Sequence, residues 1–181
     1  DANAVQDAAG NDAATLAATT VTSNVPDTTA PVFQSAATST DGSKVILTYN
    51  EALHATTAAT GAFAVFIGTL PNRTLNYVTG VAVNGSTVEL TLTTPITFGQ
   101  IATAYYTAPT SDSTNANLAV QDTAGNDAAS LSSGAVTNNV PDTLPPVFQS
   151  AATSSDGSKV IVTYNEALSA TTAAAGDFAV T

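Results

Sequence analysis

The residues that could act together chemically in this chain are carboxylates and side-chain amides. Asp27, Glu51, Asp122, Asn126 and Asp127 offer oxygen ligands of the kind that calcium takes in sets of about six to eight. Carboxylates held near one another repel unless something cationic joins them. The same types recur along the chain. Asp27 and Glu51 reappear as Asp142 and Glu166, and Asp122 and Asp127 are matched by Asp7 and Asp12. Calcium is therefore the expected ion. The spacing is not that of an EF-hand loop, which needs acids on alternate positions and a closing Glu. Asp, Asn and Gly are also ordinary turn formers, and QDTAGNDA reads equally well as a turn and nothing more.

Other chemistry finds little footing. His54 is the only histidine, and Ser169 takes its place in the second copy. A single imidazole without a thiol or second imidazole makes neither a triad nor a transition-metal site. Pairs of acids can hydrolyse glycosides, but nothing marks a substrate cleft, and an enzyme is not expected. Tyr105-Tyr106 are candidates for stacking on a sugar, although strand alternation turns one of them into the core. Asn72-Arg73-Thr74 and Asn84-Gly85-Ser86 match the glycosylation acceptor pattern.

A repeat must position the acids. The run Val25 to Val65 recurs as Val140 to Val180, and Tyr49 falls on Tyr164, an offset of 164 − 49 = 115. AVQDAAGNDAATL, from Ala4, falls on AVQDTAGNDAASL, from Ala119, at the same offset. The chain thus divides into the end of a preceding repeat (1–24), a complete repeat (25–139) and the start of a following one (140–181). Helical repeats are shorter, about 30–47 residues, whereas a period near 100 suits an immunoglobulin-like sandwich.

Within the complete repeat, β-rich runs alternate with turn signals. Strands are expected at 31–37, 44–50, 62–67, 74–83, 86–93, 100–107 and 129–137, with hairpin turns at Asp41-Gly42 and Asn84-Gly85. In STVELTLT, Val88, Leu90 and Leu92 face inward. Seven such strands predict an all-β, immunoglobulin-like or cadherin-like antiparallel sandwich with no helix longer than two turns. The stretch after Glu51 is the expected place for a short helical turn, since Ala and Leu favour helix. If successive strands alternate in direction, the start of the first strand, the end of the second and the loop 108–128 all lie at one pole. That loop carries Asp112 as well as Asp122, Asn126 and Asp127. An ion there would tie the linker to the body of the repeat.

Composition narrows the partners. The net charge is −11 with only three bases, Lys44, Arg73 and Lys159, which disfavours nucleic acid and anionic membranes, because both are bound by clustered Lys and Arg. Hydrophobic residues make up 44% of the chain, enough for a packed core. No apolar run is long enough to span a bilayer. Cys is absent, which leaves neither disulfides nor thiolate metal sites. Met is absent too, and the chain reads as an internal or processed piece of something longer.

NVPDTTAPVFQSA, DGSKVILTYNEAL and AVQDTAGNDA together resemble the bacterial Ig-like repeats of giant surface proteins. The match is nearest to the repeat of the cyanobacterial cell-surface protein required for swimming motility, and similar repeats occur in large calcium-dependent adhesins. Asp27-Thr28-Thr29-Ala30-Pro31 also looks like the linkers of cadherins, although the full cadherin motif is missing. The resemblance implies a secreted or cell-surface location and a structural role as stalk, rod or filament, with calcium at the junctions. Its partners would be neighbouring repeats of the same chain or identical subunits. Two alternatives stand beside this: a glycan-binding sandwich module, and a filament subunit in which a strand from another molecule completes the sheet.

Overall fold

A computed structural model describes residues 4–109, 118–171 and 173–179. The complete repeat holds eight strands: β1 (Phe33–Thr38), β2 (Lys44–Tyr49), β3 (Phe63–Ile67), β4 (Thr74–Asn76), β5 (Val78–Asn84), β6 (Thr87–Leu92), β7 (Ala102–Tyr106) and β8 (Leu131–Thr137). The following copy holds β9 (Phe148–Thr153) and β10 (Val160–Tyr164). Each strand matches an expected run except that 74–83 is broken at Tyr77, which leaves the ladder between β4 and β5.

Alternation decides which side chains are inside. Val45, Leu47 and Tyr49 of β2, Val88, Leu90 and Leu92 of β6, and Ala102, Ala104 and Tyr106 of β7 are all buried in one cluster with Phe63 and Val65 of β3. Of the tyrosine pair, Tyr106 is buried and stacks on Phe63. Tyr105 faces outward, where its hydroxyl accepts a hydrogen bond from Arg73 and its ring meets Phe66 edge-on.

The strands form one hydrogen-bonded sheet in the order β4-β3-β7-β8-β1-β2-β6-β5. It curls until it nearly closes into a barrel-like shape, with β5 returning against β3. The expected all-antiparallel sheet needs correction. β1 pairs with β8 in parallel, Ala36 opposite Val136 and Ala37 opposite Thr137. The cause is arithmetic: with seven successive runs alternating in direction, the first and last point the same way. When they become neighbours, their ladder has to be parallel.

Among the described residues there is no α-helix, only 3₁₀ turns at Thr60–Ala62 and Ala175–Asp177. The helical turn expected directly after Glu51 is absent. Leu53 N–H donates to Gly85 O at 2.9 Å and His54 N–H to Gln121 O at 2.8 Å. These bonds to neighbouring loops take the donors that a helix would use and outweigh a weak local propensity. At the opposite pole, Gly42 adopts φ +70°, and a Cβ there would lie 1.9 Å from Ile96 O.

Candidate metal centre

Three stretches meet at the pole where β1 begins. The first is the linker, 25–32. Val32 N–H donates to Asn50 Oδ1 at 2.7 Å, and Asn50 N–H donates to Val32 O at 3.0 Å. This two-way tie holds the residue before Glu51 against the linker. The second is the segment after β2, where Leu53 bridges to Asp122. The third is the loop after β7, fastened where Val120 N–H donates to the Tyr106 hydroxyl at 2.9 Å.

Asp122 is buried and organises the turn that follows it. Its Oδ1 accepts from the N–H groups of Ala124 and Asn126, both at 2.8 Å, and its Oδ2 accepts from the Asn126 amide at 2.7 Å. The Asn126 amide also donates to Asp27 O at 3.2 Å, which ties turn to linker. Asp27 Oδ1 caps its own linker by accepting from Thr29 N–H at 3.0 Å.

The result is a triad. One carboxylate oxygen from each of Asp27, Glu51 and Asp122 lies within 4.8 Å of the others, a set that could hold a metal ion. Their electrostatics diverge. Burial acts to raise the Asp122 carboxyl, but hydrogen bonds from Asn126, Ala124 and Gly125 outweigh it and hold the group below its ordinary value. Glu51 is pushed up, by burial first and then by the charges of Asp27 and Asp122. Its Oε1 is buried and, among the described residues, has no hydrogen-bond partner. A buried oxygen facing two like charges is where a cation would be stabilised most.

The other expected ligands are placed differently. Asn126 lies at the triad but turns its amide N–H groups toward Asp122 and Asp27 O. It braces two members of the set. Asp127 pairs across the turn with Gln121 and is not one of the three convergent acids. Asp7 and Asp12 form the matching turn in residues 6–12, where Asp7 Oδ1 accepts from Ala9 and Asn11 N–H and Asp12 accepts from the Gln6 amide. In the following copy Asp142 and Glu166 come together as Asp27 and Glu51 do. Burial, the Asp142 charge and a hydrogen bond with Asp142 raise Glu166. Asp112 lies outside the described residues. His54 is engaged locally, its Nδ1 accepting from Thr56 N–H at 3.1 Å.

Sequence reasoning missed Asn50, whose side chain fixes the linker, although a signal was available: it recurs as Asn165, which accepts from Val147 N–H at 2.6 Å.

Comparison with known proteins bears on this architecture. Residues 26–111 match the model of the SWM repeat, described as a "putative flagellar system-associated repeat". Residues 26–111 of the complete repeat are thus similar to the SWM repeat. Among solved structures, the N-terminal part of the bacterial S-layer protein SbsC is similar at 22% identity and a TM-score of 0.48, over 74% of this chain and 30% of that one. Domains 1–6 of the same protein give the same identity and score over 18% of their length. The chain therefore spans less than a third of either structure. No curated protein matches the sequence.

Proposed function

We propose that this repeat, like the SWM repeat it resembles, is a structural module of a secreted or cell-surface protein, stacked in tandem as a stalk or rod, and that calcium at the Asp27–Glu51–Asp122 triad stiffens each junction. The observation that carries the reading is the triad's position. One acid comes from the linker and two come from the body of the repeat, so an ion bound to all three fastens the linker to the domain it enters. The same two leading acids recur as Asp142 and Glu166 at the next junction. The module is read as an immunoglobulin-like sandwich whose two halves, β4-β3-β7-β8 and β1-β2-β6-β5, are joined through β1. Its partners are its neighbours in the array.

The residues fit a hard cation. Three carboxylates supply three or more oxygens, and Asp122 keeps lone-pair capacity beyond its three accepted hydrogen bonds. Backbone carbonyls or water would complete the shell. Among the described residues the convergent set holds acids alone, and the one histidine is tied to its own turn. A structural role accounts for the repetition of the acids in successive copies, which a catalytic site would not need.

The test is thermal unfolding of the chain in about 10 mM calcium and then in excess chelator. Extracellular calcium modules bind at about 10⁻⁴–10⁻³ M, which predicts a stabilisation of about 1.4–2.7 kcal/mol by linkage. Asp122→Asn should abolish most of it. An unchanged melting temperature in calcium would overturn the reading.

A further inference from the structure

The pole opposite the acids holds the outgoing linker by a different chemistry. The Asn138 side-chain amide donates to Thr97 O at 2.8 Å and to Gln100 O at 3.0 Å. Asn139 N–H donates to Thr38 Oγ1 at 2.8 Å, and its side-chain amide donates to Thr38 O at 3.3 Å. Asn138 Oδ1 in turn accepts from Val140 N–H at 3.0 Å. Beyond this point Val140 to Leu144 form one wall of a cleft whose other wall is Pro95, Ile96, Thr97 and Phe98.

We infer that Asn138 and Asn139 form a metal-independent clamp that makes the linker part of the repeat it leaves, and so confines the joint between successive repeats to Pro141. The inference rests on the reading of the chain as a tandem rod and adds where that rod bends. The physical case is a count of soft dihedrals. Residues 138 and 139 are fixed by five hydrogen bonds, all of them to neutral groups and none involving a carboxylate. Val140 is restricted to extended conformations by the proline after it, and its N–H is already bonded. Pro141 has a fixed φ. The ψ of Pro141 is left as the main freedom before Asp142, where the next set of acids begins. Asp142 then caps its own turn by accepting from Leu144 N–H at 3.0 Å. The linker 138–142 is thereby held at its leading end by amides and at its trailing end by acids, and only the second grip depends on an ion.

The preceding junction offers an internal contrast. Ser23 stands where Asn138 does, and Asn24 matches Asn139. The Ser23 hydroxyl still accepts from Val25 N–H, at 3.3 Å, but a serine has no amide with which to reach two carbonyls. Clamp strength is in this way set junction by junction through one residue.

The experiment is backbone nitrogen relaxation of the full chain, first in chelator and then in calcium. In chelator, residues 138–140 should be as ordered as β8, with order parameters near ~0.85, while residues past Asp142 are less ordered. Asn138→Ala with Asn139→Ala should lower 138–140 toward ~0.6 in both conditions. Asn138→Ser, which copies the preceding junction, should fall between, and unchanged shifts in the β2 and β6 core would confirm folding. Mobile residues 138–140 in the unaltered chain, or no change in the double variant, would overturn the clamp. Calcium ordering the linker at Asp27 tests the metal reading separately; its failure would leave the result at 138–140 standing.

Discussion

Two turns of nearly identical sequence sit in opposite surroundings. In residues 121–127, Asp122 gathers three hydrogen bonds at 2.7–2.8 Å. In residues 6–12, Asp7 gathers the same three, each at 2.9 Å, and the glycine of both turns adopts φ +90°. Yet Asp122 is 2% exposed and converges with Asp27 and Glu51, while residues 4–12 are exposed throughout. The hairpins repeat the lesson. β1–β2 and β9–β10 share register and bulge, and Phe33–Tyr49 meet at 6.2 Å much as Phe148–Tyr164 do at 6.3 Å. Only the first pair is covered by the other half of a domain. Turn and hairpin geometry is thus written locally, by Asx-type hydrogen bonds and cross-strand pairs. The convergence of three acids is written by the tertiary fold.

The largest expected effect separates the two hairpins by burial. Leu47 is fully buried, while its counterpart Val162 is 37% exposed. Leu47→Ala should cost about 2–5 kcal/mol through lost transfer energy and a cavity. Val162→Ala in the same chain should stay within about 0.5 kcal/mol, as surface changes do. Urea unfolding followed by tryptophan-free far-ultraviolet dichroism measures both. Equal losses would mean that β9–β10 is packed after all.

Next comes the hairpin turn. Gly42 and Gly157 share a positive φ, but a Cβ on Gly42 would strike Ile96 O, and one on Gly157 would meet nothing within 4 Å. Gly157→Ala should carry only left-handed strain, about 1–2 kcal/mol. Gly42→Ala should cost at least twice that, and it should also disturb the bond from Ile96 N–H to Gly42 O, which is 2.9 Å long. Comparable melting temperatures for the two variants would show that the turn yields without displacing the 94–98 loop.

Much of this was legible from sequence because strand alternation and turn glycines are local signals. The run KVILTYN placed Val45, Leu47 and Tyr49 inside, and counting strand directions brought Asp27, Glu51 and Asp122 to one pole. What escaped was the identity of neighbours. Alternation says which way β1 and β8 run but not that they pair, so their parallel ladder was missed. Nor does spacing say which way a turn residue points. Asn126 and Asp127 look like ligands beside Asp122, but the turn directs one as a donor into the acids and pairs the other with Gln121. The clamp at Asn138 and Asn139 gave no signal at all, because two amides before a linker look like any polar loop.

The smallest effect concerns charge at the triad, and its sign follows from the shifts. Glu51 has an ordinary value of 4.5 and is raised in the folded state, chiefly by burial and then by Asp27 and Asp122. The metal-free folded state therefore binds this proton more tightly than the unfolded chain does. Stability from this group is lost as pH climbs from about the unfolded value through the raised one. Asp122 acts the other way. Its carboxyl lies below the ordinary 3.8, so its contribution is present above that value and fades only as pH falls through the lowered one. Replacing Glu51 with glutamine removes the repelled charge but keeps the shape. Glu51→Gln should raise the metal-free melting temperature at pH 7, flatten its dependence on pH above 4.5 and shrink the calcium-induced shift. Glu166→Gln should move in the same direction by less, since only Asp142 opposes that charge. A lower metal-free melting temperature for Glu51→Gln at pH 7 would show that Glu51 is held by a favourable contact, and the triad would then be a packed turn with no need of an ion.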